Sequence, residues 1–224
     1  PSFWNKAAKI LYRSALPSLP LVAPPKPHSI LSKLPTYANS LQKQQQQPIS
    51  AASNSLSKEK PDMNLPEGRI LVTGGAGFIG SALVHALNEL GREDILVTDL
   101  LGSTEKWHNL VPLKFNDYLE GDQLLEKIKE EDKGFDDIGL ILHLGACSST
   151  METDAAYLIR NNYQYTVALA DWVIKRDVRF VYASSAATYG DGSQGMDDQS
   201  DDLAALRPLN MYGYSKHMFD LHAQ

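Results

Sequence analysis

Cysteine is nearly absent from this 224-residue chain: Cys147 is the only one. An intrachain disulfide is thereby excluded, and a reducing compartment fits best. No run approaches the roughly 18 consecutive apolar residues that a membrane-spanning helix needs. Acid is almost missing from the first part. Residues 1–60 hold eight Lys or Arg against the single acid Glu59, while residues 61–224 hold thirteen basic side chains against twenty-six acidic ones. The acidic balance of the second part speaks against a nucleic-acid surface. Proline is scarce beyond residue 66, where only two of the twelve fall, and crowded before it, beside a Gln-rich tract at 42–47.

These shifts divide the chain into a basic, Pro/Gln-rich extension over residues 1–66 and a folded part over 67–224. In the extension, Phe3, Trp4, Ala7, Ile10 and Leu11 interleave with Lys6, Lys9 and Arg13. This pattern suits a basic amphipathic helix of the organelle-import type, with a mitochondrial matrix favoured over a plastid and the cytoplasm as alternative. The extension reads equally as a segment ordered on a protein partner, since alone it offers little apolar surface to offset its backbone entropy.

The most informative segment is residues 70–80, Ile-Leu-Val-Thr-Gly-Gly-Ala-Gly-Phe-Ile-Gly. Ile70, Leu71 and Val72 suit a strand buried on both faces of a parallel sheet. Gly74 permits a sharp turn, Gly77 lets backbone N–H groups approach a pyrophosphate, and Gly80 lets the next helix pack close to the strand. That helix is expected from Phe78 to Leu90, burying Ile79, Leu83, Ala86 and Leu90 and stopped by Gly91. Its first turn would point N–H groups and the positive end of its dipole at an anion. A second strand, Asp94–Thr98, then delivers Asp99 where a carboxylate can accept ribose hydroxyls. The ordered series predicts dinucleotide binding.

Further along, a charged helix is expected over Asp122–Asp132, with Leu124, Leu125 and Ile128 on its apolar face. A buried strand follows over Ile138–Leu144, then a long helix over Thr153–Lys175, a strand over Phe180–Ala183 and a last helix from Tyr212 onward. Alternating strands and helices predict an α/β fold, a Rossmann-type doubly wound parallel sheet with ligands at the carboxyl ends of its strands. The last helix carries Tyr212 and Lys216 four residues apart, on one face. A phenol, titrating near 10, is a poor base at neutral pH; a neighbouring ammonium that lowers this by about three units supplies roughly 4 kcal/mol. Such a pair can take a proton from a hydroxyl while a nicotinamide accepts hydride. Ser185, at a strand's carboxyl end, is placed to hydrogen-bond the substrate oxygen.

Residues 69–224 resemble the extended short-chain dehydrogenase/reductases, and more narrowly the ADP-L-glycero-D-manno-heptose 6-epimerase branch. The likeness rests on Thr73–Ser81 (TGGAGFIGS), Gly145–Thr150 (GACSST), Asn161–Tyr165 (NNYQY), Tyr182–Gly190 (YASSAATYG) and Pro208–Lys216 (PLNMYGYSK). It implies that Gly74, Gly77 and Gly80, with Phe78 and Ile79, hold the coenzyme pyrophosphate, and that Asp99 holds the adenosine ribose. Lys106 falls where that branch has a lysine near a 2′-phosphate, which favours NADP; Leu100, in place of a polar residue, leaves NAD open. Ser185, Tyr212 and Lys216 would form the catalytic group, with Lys216 also reaching the coenzyme, Asn162 as a support and Ser148 and Ser149 near the sugar. No metal is implied.

The implied reaction oxidises the sugar carbon transiently and returns hydride to the opposite face. The family's remaining strands, most of its substrate subdomain and a second lysine have no counterpart in these residues, so a protein partner is expected over the sheet edge. Two alternatives follow: a non-catalytic accessory subunit of a large mitochondrial complex that keeps NADP as a structural element, and a nucleotide-sugar dehydratase or reductase.

Overall fold

The computed structural model describes residues 65–197 and 202–224; the basic extension lies, but for its last two residues, outside them. Five strands form one parallel sheet: β1 (Arg69–Thr73), β2 (Ile95–Asp99), β3 (Asp117–Glu120), β4 (Ile138–His143) and β5 (Arg179–Tyr182), in the order β3-β2-β1-β4-β5. The chain winds outward from β1 in both directions, as expected of a doubly wound sheet.

The sequence alternation explains the layers. Successive side chains of a strand point to opposite faces. Ile70 and Val72, with Ile95, Val97 and Leu140, pack on Val84 and Leu87 of helix α1 (Phe78–Glu89). Leu71, Leu96 and Ile141 face the other way. There they meet Leu124 and Ile128 of α2 (Gly121–Lys129) and a helical stretch in three parts: α3 (Ala155–Leu158), a π-helical segment (Ile159–Gln164) and α4 (Tyr165–Arg176). Phe219 of α5 (Met211–His222) closes the same layer. β1 lies between two neighbours and under two layers, so Ile70, Leu71 and Val72 are fully buried. Each such side chain contributes about 1.5–3 kcal/mol of transfer free energy.

Four sequence expectations are corrected. The helix after the glycines buries Gly80, Val84 and Leu87, one position on from the expected face. Its contact with the sheet is set by Gly80, whose missing side chain lets it lie on the turn at Gly74; Ile79 is left 62% exposed. The second strand begins at Ile95 and includes Asp99. The strand Asp117–Glu120 was not anticipated: three of its four residues are polar or charged, which suits its place at the sheet edge. The helix expected over Thr153–Lys175 is broken by the π segment, where the backbone accommodates a buried polar residue, Asn162.

Gly80 offers the sharpest test of this packing. A Cβ there would lie 2.1 Å from the Gly74 carbonyl oxygen, whereas one on Gly77 would lie 3.2 Å from the same atom. Both obstacles are backbone, but only the first is too close to relieve by a small shift. Gly80→Val should cost about 1–3 kcal/mol or more in urea unfolding, and Gly77→Ala markedly less. Equal stabilities of the two variants would contradict this account of the helix contact.

Candidate active site

The carboxyl ends of the strands line up as a row. In register across the sheet lie Thr98 of β2, Thr73 of β1, His143 of β4 and Tyr182 of β5. Beyond that row each strand gives way to a turn that carries a candidate residue.

After Thr73 the chain turns at Gly74, which adopts φ +67, a left-handed conformation that disfavours other residues. Gly74 faces Gly145 of the turn after β4 so closely that a Cβ on it would sit 2.8 Å from the Gly145 nitrogen. The crevice between diverging crossovers opens at this point. Gly77 caps α1 with extended backbone, and neither a side-chain cap nor an acidic residue occupies the first turn. The N–H groups of that turn and the positive end of the helix dipole therefore carry no protein carboxylate. Phe78 is 90% exposed and stands at the mouth of the crevice.

Asp99, 8% exposed, sits beside this turn. Its Oδ2 accepts from the Ala76 N–H at 2.9 Å; its Oδ1 accepts from the Leu100 N–H at 2.7 Å and from the Lys106 ammonium at 2.6 Å. Three of the roughly four acceptor positions of a carboxylate are used, which fixes its orientation and leaves one to face outward. Lys106 reaches it from a short 3₁₀ turn, Glu105–Asn109, whose Asn109 amide donates to the Ala76 carbonyl at 2.8 Å. Asn109 thus supports the glycine turn, a role no sequence spacing indicated.

Beneath the turn runs a buried polar relay whose direction can be read atom by atom. The Thr73 hydroxyl oxygen accepts from the Leu144 and Gly145 N–H groups at 3.1 and 2.9 Å, so its own proton goes to His143 Nδ1 at 2.6 Å. His143 Nε2 then donates to Thr166 Oγ1 at 2.9 Å, and Thr166 donates to the Asn162 carbonyl at 2.5 Å. The imidazole is neutral, with its proton on Nε2. Burial, aided by the Lys216 charge, holds its pKa down at about 3.

Asn162 is placed as the supporting residue expected of it. Its side chain brackets Cys147, accepting from the N–H at 2.8 Å and donating to the carbonyl at 3.0 Å, and also donates to Ser215 Oγ at 3.0 Å. Ser215 donates in turn to the Tyr212 carbonyl at 2.7 Å. The glycine turn and the last helix are therefore tied by one hydrogen-bonded path.

Ser185 and Lys216 lie on two segments packed against each other, Lys216 bonding the backbone two residues before Ser185; Tyr212 lies one helical turn from Lys216. Asn210 caps α5 by accepting from the Gly213 N–H at 2.7 Å. Gly213 permits close packing on a 3₁₀ turn, Ala186–Tyr189, since a Cβ there would lie 2.7 Å from the Ala187 carbonyl oxygen. Ser185 caps that turn, its Oγ accepting from the Ala187 N–H at 3.2 Å, which leaves the O–H to donate toward a ligand. Buried Lys216 donates to the Ala183 carbonyl at 2.9 Å and lies 5.2 Å from the Tyr182 ring centre. Burial pushes its pKa down to about 8, with the Asp220 charge opposing. Ser148 and Ser149 lie exposed on the loop after β4, directly after Cys147, which Asn162 holds by both backbone groups. Among the described residues no cluster of His, Cys, Asp or Glu side chains is arranged to hold a metal ion, and no helix is long and apolar enough to cross a membrane.

Such a sheet, with a glycine turn at its switch point, defines a Rossmann-type α/β protein. The sequence model of the NAD dependent epimerase/dehydratase family matches residues 70–224, and the chain belongs to that family. It is 50% identical over 153 residues to the ADP-L-glycero-D-manno-heptose-6-epimerase of Nitratidesulfovibrio vulgaris strain Hildenborough, covering 68% of this chain and 47% of the relative. The enzyme of that name from Fusobacterium nucleatum is 46% identical over 153 residues, covering 67% and 46%. Among solved structures, the Helicobacter pylori ADP-L-glycero-D-manno-heptose-6-epimerase superposes with a TM-score of 0.57 at 27% identity, over 72% of this chain and 51% of that one. The Bacillus cereus UDP-glucuronic acid 4-epimerase, in complex with UDP-glucuronic acid and NAD, gives 0.57 at 27% identity over 69% and 50%. The chain spans about half the length of the curated relatives it matches.

His143 makes the relay testable by pH. Its folded pKa is depressed from 6.5 to about 3, so between these values the unfolded chain takes up a proton that the native protein refuses. Stability from this residue is complete above pH 6.5 and falls toward pH 3, by at most about 1.4 kcal/mol per unit. Between pH 7 and 4.5, His143→Gln should therefore lose roughly 2 kcal/mol less than the parent in urea unfolding. Parallel curves for the two proteins would place the acid sensitivity elsewhere.

Proposed function

We propose that this chain forms the coenzyme-binding and catalytic portion of a nucleotide-sugar epimerase of the ADP-heptose 6-epimerase type, using NADP. The observation that carries the reading is the meeting, at the carboxyl end of one sheet, of a diphosphate cradle and the Ser185, Tyr212 and Lys216 set. Identities near one half to heptose epimerases support the sugar class.

The residues present fit a dinucleotide. At Gly74 and Gly80 a Cβ would collide with the backbone of Gly145 and of Gly74, so the turn keeps its shape only with glycine there, and the start of α1, without a side-chain cap, offers N–H groups to an anion. Gly74, Gly77, Phe78, Ile79 and Gly80 would hold the diphosphate. Asp99, with its free acceptor position, would hold the ribose. Lys106, drawn to Asp99 at 2.6 Å, supplies the positive charge that a 2′-phosphate needs beside that carboxylate. NAD, bound by the Bacillus cereus structural relative, is the alternative coenzyme. When bound, the nicotinamide supplies the chemistry of taking up and returning hydride.

The chain's own groups handle the proton and the geometry. Tyr212 takes the proton of the reacting sugar hydroxyl and later gives it back. Ser185 donates its free O–H to the same oxygen, holding it as charge develops. Lys216 has three donors, one of them fixed on the Ala183 carbonyl; the others would be available to Tyr212 and to a coenzyme ribose. The accessory-subunit alternative draws on the extension, outside the described residues, and gains nothing from these relatives.

Two measurements test the reading. Tyr212→Phe should lower kcat for interconversion of the ADP-heptose epimers by about two to four orders of magnitude with coenzyme affinity kept. Equal rates would remove the tyrosine from the chemistry. Lys106→Ala should weaken NADP binding about tenfold or more while changing NAD binding little, and equal losses for both coenzymes would exclude a 2′-phosphate contact.

A further inference from the structure

One half-buried carboxylate is not used by this mechanism. Asp220 lies on α5 one helical turn beyond Lys216, on the same face. Its Oδ1 accepts from the Tyr182 hydroxyl at 2.8 Å, an ordinary hydroxyl length, and its Oδ2 from the Ser184 hydroxyl at 2.6 Å, within the range of a charge-assisted bond. The Tyr182 hydroxyl lies 3.3 Å from the Lys216 carbonyl oxygen as well. Tyr182 and Ser184, two residues apart in extended chain, point to one side, and the Lys216 ammonium holds the carbonyl of Ala183 between them. Three consecutive residues are thus fastened to α5, and the next in the chain is Ser185. Burial raises the Asp220 pKa, opposed by the two hydroxyls and by the charges of His217 and Lys216. A half-buried carboxylate costs stability unless its acceptors are filled, and here both oxygens are.

We propose that Asp220 is a positioning residue that clamps the Tyr182–Ser184 segment to α5 and so fixes Ser185 and the Lys216 ammonium in a single arrangement with Tyr212. The proposal rests on the epimerase reading for its catalytic consequence, though not for the clamp itself. A displacement of about 1 Å at a catalytic group costs up to a hundredfold in rate. Asp220→Ala releases both hydroxyls and lets the segment shift. Asp220→Asn keeps an acceptor for Tyr182 and a polar partner for Ser184. Of the coenzyme contacts only that of Lys216 depends on the clamp, the diphosphate cradle being untouched, so the consequence should appear mainly in kcat.

The test compares the purified parent with Asp220→Ala, Asp220→Asn and Tyr182→Phe. Asp220→Ala should lower kcat for ADP-heptose epimer interconversion about ten- to a hundredfold, with KM and coenzyme Kd held within about threefold, and Asp220→Asn should restore most of it. Tyr182→Phe should lower kcat in the parent and add little in the Asp220→Ala background. A loss confined to KM, equal losses in the Ala and Asn variants, or strict additivity would overturn the proposal. If Asp220→Ala does not fold, Ser184→Ala in the Asp220→Asn background takes its place under the same criteria. A second readout needs no turnover: in protein labelled with ¹³C at the lysine ε-carbon, the Lys216 resonance should move in Asp220→Ala more than those of Lys127 and Lys175. An unmoved resonance overturns the clamp even in an active enzyme. A resonance that moves in Asp220→Ala well beyond its position in Asp220→Asn, which also lacks the charge, in a protein whose parent is inactive upholds the clamp and overturns the epimerase reading.

Discussion

The neutral imidazole of His143 is the constraint on which the candidate site rests. It lies fully inside the sheet layer, where a charge would cost several kcal/mol, and every polar atom around it has an assigned direction. Because Thr73 is both acceptor for two backbone N–H groups and donor to the ring, the end of β1 and the turn after β4 are held at one separation. That separation is the mouth of the crevice. Because Thr166 passes the last proton to a carbonyl within the π segment, the same ring also sets where Asn162 stands.

From Asn162 the constraint continues to Ser215 and to the backbone of Tyr212. Two groups of residues more than a hundred positions apart are in this way parts of one hydrogen-bonded assembly. In the proposed function, the glycine turn sets where a diphosphate would lie and α5 where a proton would be exchanged. The row Thr98, Thr73, His143 and Tyr182 keeps these two positions on a common baseline. Rigid elements carry the chemistry, and the turns beyond them carry the ligand contacts.

Much of this was legible in the sequence because it depends on local rules. An apolar triplet followed by glycines at 74, 77 and 80 admits few structures, and the Tyr212–Lys216 spacing places both on one helix face whatever surrounds them. Asp99 stood out because a carboxylate is expected about twenty residues after the last glycine of such a turn. What escaped depends on contacts between distant segments. The edge strand at Asp117 has no apolar pattern to announce it. The buried face of α1 is chosen by a glycine's close approach, which outweighs the larger side chains one position away. Asn109 and Asp220 look like ordinary surface polar residues in the sequence, and only the fold shows what their side chains reach. Lys216 and Asp220 do share helical spacing, the one signal that could have exposed the clamp.

The π segment at Ile159–Gln164 has a consequence for length variation in this region. A helix carrying one wide turn has two phases: residues before it and after it present faces offset by about 100° from what an unbroken helix would give. Removing a single residue there would restore regular winding and rotate Asn162 away from Cys147 and Ser215 while leaving composition almost unchanged. Insertions and deletions should therefore be poorly tolerated between Ile159 and Gln164. An alignment gap at that helix would mark a chain that has kept the sheet and given up the support beneath its last helix.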